Sequence, residues 1–146
     1  MKQYIDKLKD FLDLYFGKKA PQLPENIKEA IVKYSPYLVI VAIVLAVPGL
    51  LIALGLSTIA VPFAAMGAFR YGPSFTLAGL VLLVSLVLEA VALPGLFKRA
   101  KSAWDLMFYS SLINAVYQLV TFNLGGLIIG SLISFYFLFQ VRSYYR

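Results

Sequence analysis

Three long apolar blocks constrain this chain more than any other feature: residues Leu38–Ala68, Phe75–Phe97 and Leu106–Val141. Each block is long enough to cross the ~30 Å hydrocarbon core of a bilayer at least once as a helix. Apolar residues make up 61% of the 146 residues and charged residues 14%, whereas soluble domains are about half apolar and about a quarter charged. The sequence therefore predicts an all-α integral membrane protein.

Proline, glycine and polar residues divide these blocks into four predicted transmembrane helices. Ser35 and Pro36 suit a helix cap and first turn, so the first span is predicted over about residues 36–56, kinked at Pro48. The other three are predicted over about 74–97, 103–122 and 124–141. Residues 57–72 are ambiguous: an interfacial helix from Pro62 to Phe69 is preferred, and a re-entrant segment is the alternative.

The region before the first span is predicted to form amphipathic helices. An apolar stripe follows helical spacing within Lys2–Phe16 and comprises Tyr4, Ile5, Leu8, Phe11, Leu12 and Tyr15. Gly17 is predicted to end this helix, and a second, short helix is predicted from Pro24 to about Tyr34. Such helices either lie in the membrane interface or dock onto a partner or a second copy of the chain. The predicted organisation is residues 1–34 as interfacial helices and residues 35–146 as one membrane domain.

The basic residues predict an orientation. Of the 13 lysines and arginines, 12 fall before the first span, in the 98–101 loop or at the C-terminus, and the remaining one is Arg70. Because short cytoplasmic segments are enriched in Lys and Arg, both termini are predicted to be cytoplasmic. The net charge of +6 also favours anionic lipids as partners, whereas the scatter of the charges argues against nucleic acid.

Glu89 is the one carboxylate inside the second predicted span. At 1.5 Å per residue it lies about 13 Å from Lys98, where an unpaired charge costs at least ~2.5 kcal/mol. The third span offers a polar face at helical spacing, and Asn114 lies at a similar depth. We therefore expect Glu89 to hydrogen-bond with the face formed by Ser111, Asn114 and Gln118. This network is either a link between helices or a proton- or cation-binding site.

Two further features concern helix ends and helix packing. Gly126, Gly130 and Ser134 form a stripe of small residues that favours close helix packing, within the chain or in a homo-oligomer. Asp105 is interpreted as an acidic residue that stabilises the N-terminus of the third span.

The residue types exclude several kinds of chemistry. The chain has no cysteine and no histidine, which rules out thiolate or imidazole nucleophiles and metal ligands. No serine–base pair, phosphate-binding loop or metal-ligand cluster is evident, so neither an enzyme nor a cofactor is predicted. The leading interpretation is a non-enzymatic membrane protein with a structural or interaction role. The alternative is an oligomeric proton- or cation-linked transporter or channel that uses Glu89.

Two segments resemble a known group of proteins. The run ALPGLFKRAKSAWDLMFYS (Ala92–Ser110) and the ending FQVRSYYR are similar to small four-helix bacterial integral membrane proteins with basic amphipathic N-termini. The resemblance implies a four-helix fold in the cytoplasmic membrane and implies no activity.

Overall fold

The computed structural model describes residues 1–53 and 75–146, which form five α-helices and no strand. The helices are α1 (Lys2–Leu12), α2 (Glu25–Ala53), α3 (Phe75–Phe97), α4 (Lys101–Val120) and α5 (Leu124–Gln140). A π-helical segment (Asp13–Lys19) continues α1, and a 3₁₀ turn (Arg142–Tyr144) follows α5. Two stretches, Glu25–Leu50 and Leu77–Phe97, are long and apolar enough to cross a membrane. The predicted interfacial or re-entrant segment at 57–72 lies outside the described residues.

Helix α2 is continuous where the sequence predicted a short helix and then a new start at Pro36. Pro36 has no N–H to donate to the carbonyl of Val32, four residues earlier. The Ser35 hydroxyl donates to that carbonyl instead, at 3.1 Å, so Ser35 replaces the missing donor and is not a helix cap. The predicted boundary between residues 34 and 35 therefore falls inside α2. The helix also continues through Pro48, as the sequence predicted.

The N-terminal segment differs from its prediction in length and in orientation. The helix does not end at Gly17 but continues as the π-helical segment to Lys19. Its predicted apolar stripe is divided between two surfaces. Ile5, Leu8 and Leu12 of the stripe pack on the protein core, and so does Phe16, which was not part of the predicted stripe. Tyr4, Phe11 and Tyr15 are exposed.

Two tight turns of the same kind connect α3 to α4 and α4 to α5. Arg99 and Phe122 both adopt the left-handed conformation, each with φ of 53°. In both turns the next residue donates its N–H to a carbonyl five positions back, Ala100 to Gly95 and Asn123 to Gln118, as in a Schellman motif. These short connections make α3, α4 and α5 antiparallel neighbours, and α2 packs on α3.

The core is concentrated at one end of the bundle, which we call the basic end because it carries the start of α2, the 98–101 turn and the C-terminal residues. Trp104 stacks on Phe108 at 5.7 Å between ring centroids and meets Phe139 edge-on at 5.3 Å. The Trp104 indole N–H donates to the carbonyl of Leu138 at 2.8 Å, which satisfies the polar atom of this buried ring. Val32 of α2 belongs to the same cluster. The four longer helices are thus joined at the basic end.

Candidate functional site

A polar cavity of about 240 Å³ lies between α3, α4 and α5. It brings together most of the residues that the sequence singled out. Its lining consists of Glu89, Met107, Ser110, Ser111, Asn114, Gln118, Gly130, Ser131 and Ser134. The cavity therefore combines one carboxyl group with hydroxyl and amide groups from two neighbouring helices.

Glu89 is hydrogen-bonded to α4, but not through the residue that the sequence predicted. The Ser110 hydroxyl donates to Glu89 Oε1 at 3.3 Å. Asn114 Nδ2 donates to Ser85 Oγ and to the carbonyl of Ser110, both at 2.9 Å. Because α3 and α4 are antiparallel, Ser85, one turn before Glu89 on α3, lies opposite Asn114, one turn after Ser110 on α4. The result is a ladder of two rungs, Glu89–Ser110 and Ser85–Asn114, which we call the polar ladder.

The other predicted members of this network have different neighbours. Within the described part of the chain, Ser111 and Gln118 line the cavity without a hydrogen bond to Glu89. Gln118 lies against the small-residue stripe of α5, where a Cβ added to Gly126 would contact the Gln118 side-chain oxygen. A Cβ added to Gly130 would stay 3.8 Å from Gln118 Nε2. The stripe therefore faces α4 of the same chain.

Two hydroxyl groups of the site, those of Ser85 and Ser131, were not predicted from the sequence. Ser85 lies in the apolar run VSLVLE, and its one signal is the four-residue spacing to Glu89 that places both on one face of α3. Ser131 follows Gly130, and its hydroxyl is buried with no hydrogen-bond partner among the described residues. Its signal in the sequence is weak, because a serine beside a glycine in an apolar helix equally indicates simple packing.

A second polar arrangement joins the N-terminal segment to α4. Lys9 Nζ lies 2.6 Å from Asp105 Oδ1, with side-chain exposures of 10% and 31%. The same ammonium group lies 5.0–5.9 Å from the ring centroids of Tyr109, Phe108 and Trp104. We call this pair the clasp. Because α4 begins at Lys101, Asp105 lies beyond its first turn. Asp105 is therefore the partner of Lys9 and not the helix-end charge that the sequence predicted.

The N-terminal segment is also held by α5. Gln140 Nε2 donates to the carbonyl of Phe16 at 2.8 Å, and the Gln140 side-chain oxygen accepts from Leu23 N–H at 3.3 Å. The Tyr136 hydroxyl donates to the carbonyl of Pro21 at 2.6 Å. One face of the segment thus docks onto its own chain, which leaves the exposed aromatic side chains of α1 as the face available to lipid or to a partner.

The chemistry open to the polar cavity follows from its donor set. Across residues 1–53 and 75–146, no three carboxylates come together as a metal site. Glu89 with its hydroxyl and amide neighbours could bind a proton or a weakly held cation, or could tie α3 to α4. Comparison with protein-family models, curated proteins and solved structures gave no significant match. Within residues 1–53 and 75–146, the fold thus defines a helical protein with two helices long and apolar enough to cross a membrane.

Proposed function

We propose that the chain is a four-span protein of the bacterial cytoplasmic membrane with both termini cytoplasmic, and that its role is structural or interactive, without enzymatic activity. In this proposal α1 and the π-helical segment lie at the cytoplasmic interface. The described helices α2 to α5 supply the four spans.

The lengths and surfaces of α4 and α5 support their assignment as spans. At 1.5 Å per residue, the 20 residues of α4 and the 17 of α5 reach about 30 Å and about 26 Å. Large apolar side chains cover the outward surfaces of both helices, each more than half exposed: Val116, Leu119, Val120, Ile128 and Ile129. Such a surface is costly in water and ordinary in lipid.

The charges support the orientation. The start of α2, the α3–α4 turn and the C-terminal residues share the basic end, so basic residues that are distant in sequence lie on one side of the bundle. Short cytoplasmic segments carry this excess in membrane proteins. The basic end is therefore assigned to the cytoplasm.

The observation that carries the structural role is the polar ladder. Both polar groups that the sequence places deepest, Glu89 and Asn114, have partners on the facing helix. Polar pairs of this kind join helices inside a bilayer, where apolar contacts give little preference for protein over lipid. The ladder thus holds α3 against α4 without any need for transported cargo.

Topology is tested by cysteine labelling, because the chain has no native cysteine. Ser102→Cys places an exposed thiol at the basic end, at the start of α4. Leu124→Cys places one at the opposite end, at the start of α5. In intact cells a membrane-impermeant maleimide should label Leu124→Cys, and it should reach Ser102→Cys after permeabilisation. Labelling of both sites in intact cells, or the reverse pattern, would refute the proposed orientation.

A second candidate function is proton- or cation-linked transport by an oligomer, with Glu89 and the polar face of α4 lining the path. The observation that favours it is the polar cavity beside Glu89. Its lining includes the Ser131 hydroxyl, which has no hydrogen-bond partner within residues 1–53 and 75–146. A packing network alone does not require that space. An intramembrane carboxyl group is also a common feature of ion pathways.

One assay decides between the two functions. The purified protein is reconstituted in liposomes, and proton and cation flux are measured for the wild type, Glu89→Gln and Glu29→Gln. Glu29 is exposed near the start of α2, so its substitution is a matched loss of one carboxylate outside the cavity. The structural role requires no flux above that of empty liposomes. Flux that Glu89→Gln abolishes and Glu29→Gln retains would establish transport instead.

A further inference from the structure

Two adjoining cavities open at the basic end, with volumes of about 610 Å³ and about 540 Å³. The first is lined by four basic residues and one acidic residue: Lys28, Lys98, Arg99, Arg146 and Glu25. The second shares Lys28 and Arg146 with the first and adds Lys18, Lys101 and Arg142. Because they share part of their walls, the two form one surface, which we call the basic groove.

Much of this charge is not neutralised inside the protein. Arg142 pairs with Asp13 at 3.5 Å. Within residues 1–53 and 75–146, Lys98, Arg99 and Arg146 make no salt bridge, and residues 54–74 contain no Asp or Glu. Like charges held close together repel one another, so the groove favours the binding of an anion.

The backbone fixes the wall of the groove. Arg146 N–H donates to the carbonyl of Arg99, and Lys101 N–H donates to the main-chain oxygen of Arg146, both at 3.0 Å. These two hydrogen bonds tie the C-terminal residue to the α3–α4 turn. Side chains from separate parts of the sequence are therefore held around the same space.

Arg99 occupies a position that the fold alone would give to glycine. Its φ of 53° is the left-handed conformation at the end of α3, which glycine adopts without steric cost and other residues do not. A guanidinium group presents paired donors that match the oxygens of a phosphate.

An apolar cavity of about 220 Å³ lies directly behind the basic groove. The two share Trp104 and Tyr145 as walls. The apolar cavity is bounded by Ile31 and Val39 of α2 and by Leu138 of α5. A cationic surface beside an apolar cavity matches a molecule with an anionic head and a hydrocarbon chain.

We propose that the basic groove binds the phosphate of an anionic phospholipid, and that the adjoining cavity takes part of one acyl chain. The inference rests on the proposed membrane location of the chain. Free phosphate shares the headgroup chemistry, but it would leave the apolar cavity without a use. The lipid would also bridge the start of α2 to the α3–α4 turn, so it would fasten the first long helix to the rest of the bundle.

The single tryptophan of the chain makes the proposal measurable, since Trp104 lies between the groove and the apolar cavity. The protein is purified in neutral detergent micelles and titrated with phosphatidylglycerol or phosphatidylcholine that carries brominated acyl chains, which quench tryptophan on contact. The anionic lipid should quench Trp104 at a lower mole fraction than the zwitterionic lipid. Arg99→Gly should reduce this preference about fivefold, the effect of one basic residue near an anionic surface, while the helical structure is retained.

Matched controls separate the headgroup site from general charge effects. Lys2→Gln removes one positive charge from an exposed position outside the groove and should leave the lipid preference unchanged. Lys98→Gln should lower it as Arg99→Gly does, and thus serves as an independent variant of the groove. Equal losses in Lys2→Gln and Arg99→Gly would overturn the site.

The remaining outcomes distinguish the ligand source and the proposed location. Inorganic phosphate should relieve quenching no more than sodium chloride of equal ionic strength. A larger effect of phosphate would assign the groove to a free anion and overturn the lipid. Equal quenching by the two lipids would overturn the site while the membrane location stands. No quenching by either lipid would refute the location itself.

Discussion

The clasp allows one prediction to be worked out in detail, because its two members differ in burial. The side chain of Lys9 is 10% exposed and that of Asp105 is 31% exposed, with 2.6 Å between the charged atoms. Asp105→Asn removes the counter-charge of the Lys9 ammonium group, which stays almost fully buried. Losing one partner of a buried pair costs about 3–5 kcal/mol, and a hydrogen bond to a charged group contributes about 1.5–3 kcal/mol. Because Asp105 is partly solvated, we expect a loss of about 2 kcal/mol.

Lys9→Met should cost less, although it breaks the same ion pair. Methionine keeps the apolar stem that packs on the aromatic rings and removes the buried charge. The Asp105 that remains can be hydrated, so we expect a loss of less than about 1 kcal/mol. In the double variant no charge is left stranded, and its loss should resemble that of Lys9→Met alone. The magnitude of the coupling energy then equals the cost of Asp105→Asn alone, about 2 kcal/mol.

The assay is denaturant unfolding in detergent micelles followed by the fluorescence of Trp104, whose ring centroid lies 5.9 Å from Lys9 Nζ. Asp10→Asn provides a matched control, because Asp10 is an exposed acid on α1. Limited proteolysis should show the N-terminal segment of Asp105→Asn cut faster than that of the control. Equal losses of stability in Asp105→Asn and Asp10→Asn, or additive effects of the two clasp substitutions, would show that the clasp does not stabilise the fold.

Three further predictions concern turns, packing and pH. Phe122→Gly should raise the free energy of unfolding by about 0.5 kcal/mol, since glycine relieves the left-handed strain and loses some of that gain to chain entropy; a lower melting temperature in micelles would contradict this. Gly126→Ala should cost about 1 kcal/mol in the same melts because its Cβ displaces the Gln118 and Asn123 side chains, whereas Gly130→Ala should be near neutral. Burial raises the pKa of the Tyr145 phenol above its ordinary 10.0, more than its hydrogen bond with Ser35 and the charge of Arg99 lower it. The unfolded chain therefore loses this proton first, so stability should fall as the pH rises above about 10 and Tyr145→Phe should flatten that slope.

Local patterns in the sequence were enough to predict the helices of the second half of the chain. The prediction of 74–97 and of 124–141 agrees closely with α3 (Phe75–Phe97) and α5 (Leu124–Gln140). Both helices are mostly apolar and are bounded by turn residues, so the composition and the turn signals indicate the same limits. The polar residues of α4 were also assigned to one face, which the cavity brings together.

The errors arose where a local signal had two physical meanings. Ser35 before Pro36 is typical of a helix start, but the same hydroxyl can donate to the carbonyl that the proline leaves free. An acid near a helix start is typical of a helix-end charge, but Asp105 pairs with Lys9, 96 positions away. A contact between residues so far apart in the sequence produces no pattern in the sequence around either residue. The partner of Glu89 was predicted one helical turn too far along α4. The third span was predicted to begin at residue 103, whereas α4 begins at Lys101.

The position of the polar ladder follows from where the apolar core ends. At the basic end, α3 is held by Ala92 and Leu96 against the aromatic cluster. Farther along α3, Leu80, Leu83, Val84 and Val87 are exposed, and apolar contacts there would favour a neighbouring helix hardly more than lipid. Specific pairing of α3 with α4 then has to come from polar groups. The first rung of the polar ladder, at Glu89, lies about one helical turn from Ala92 of the core. Glu89 lies at that junction, so its loss should loosen the α3–α4 contact while leaving the aromatic cluster and the clasp in place.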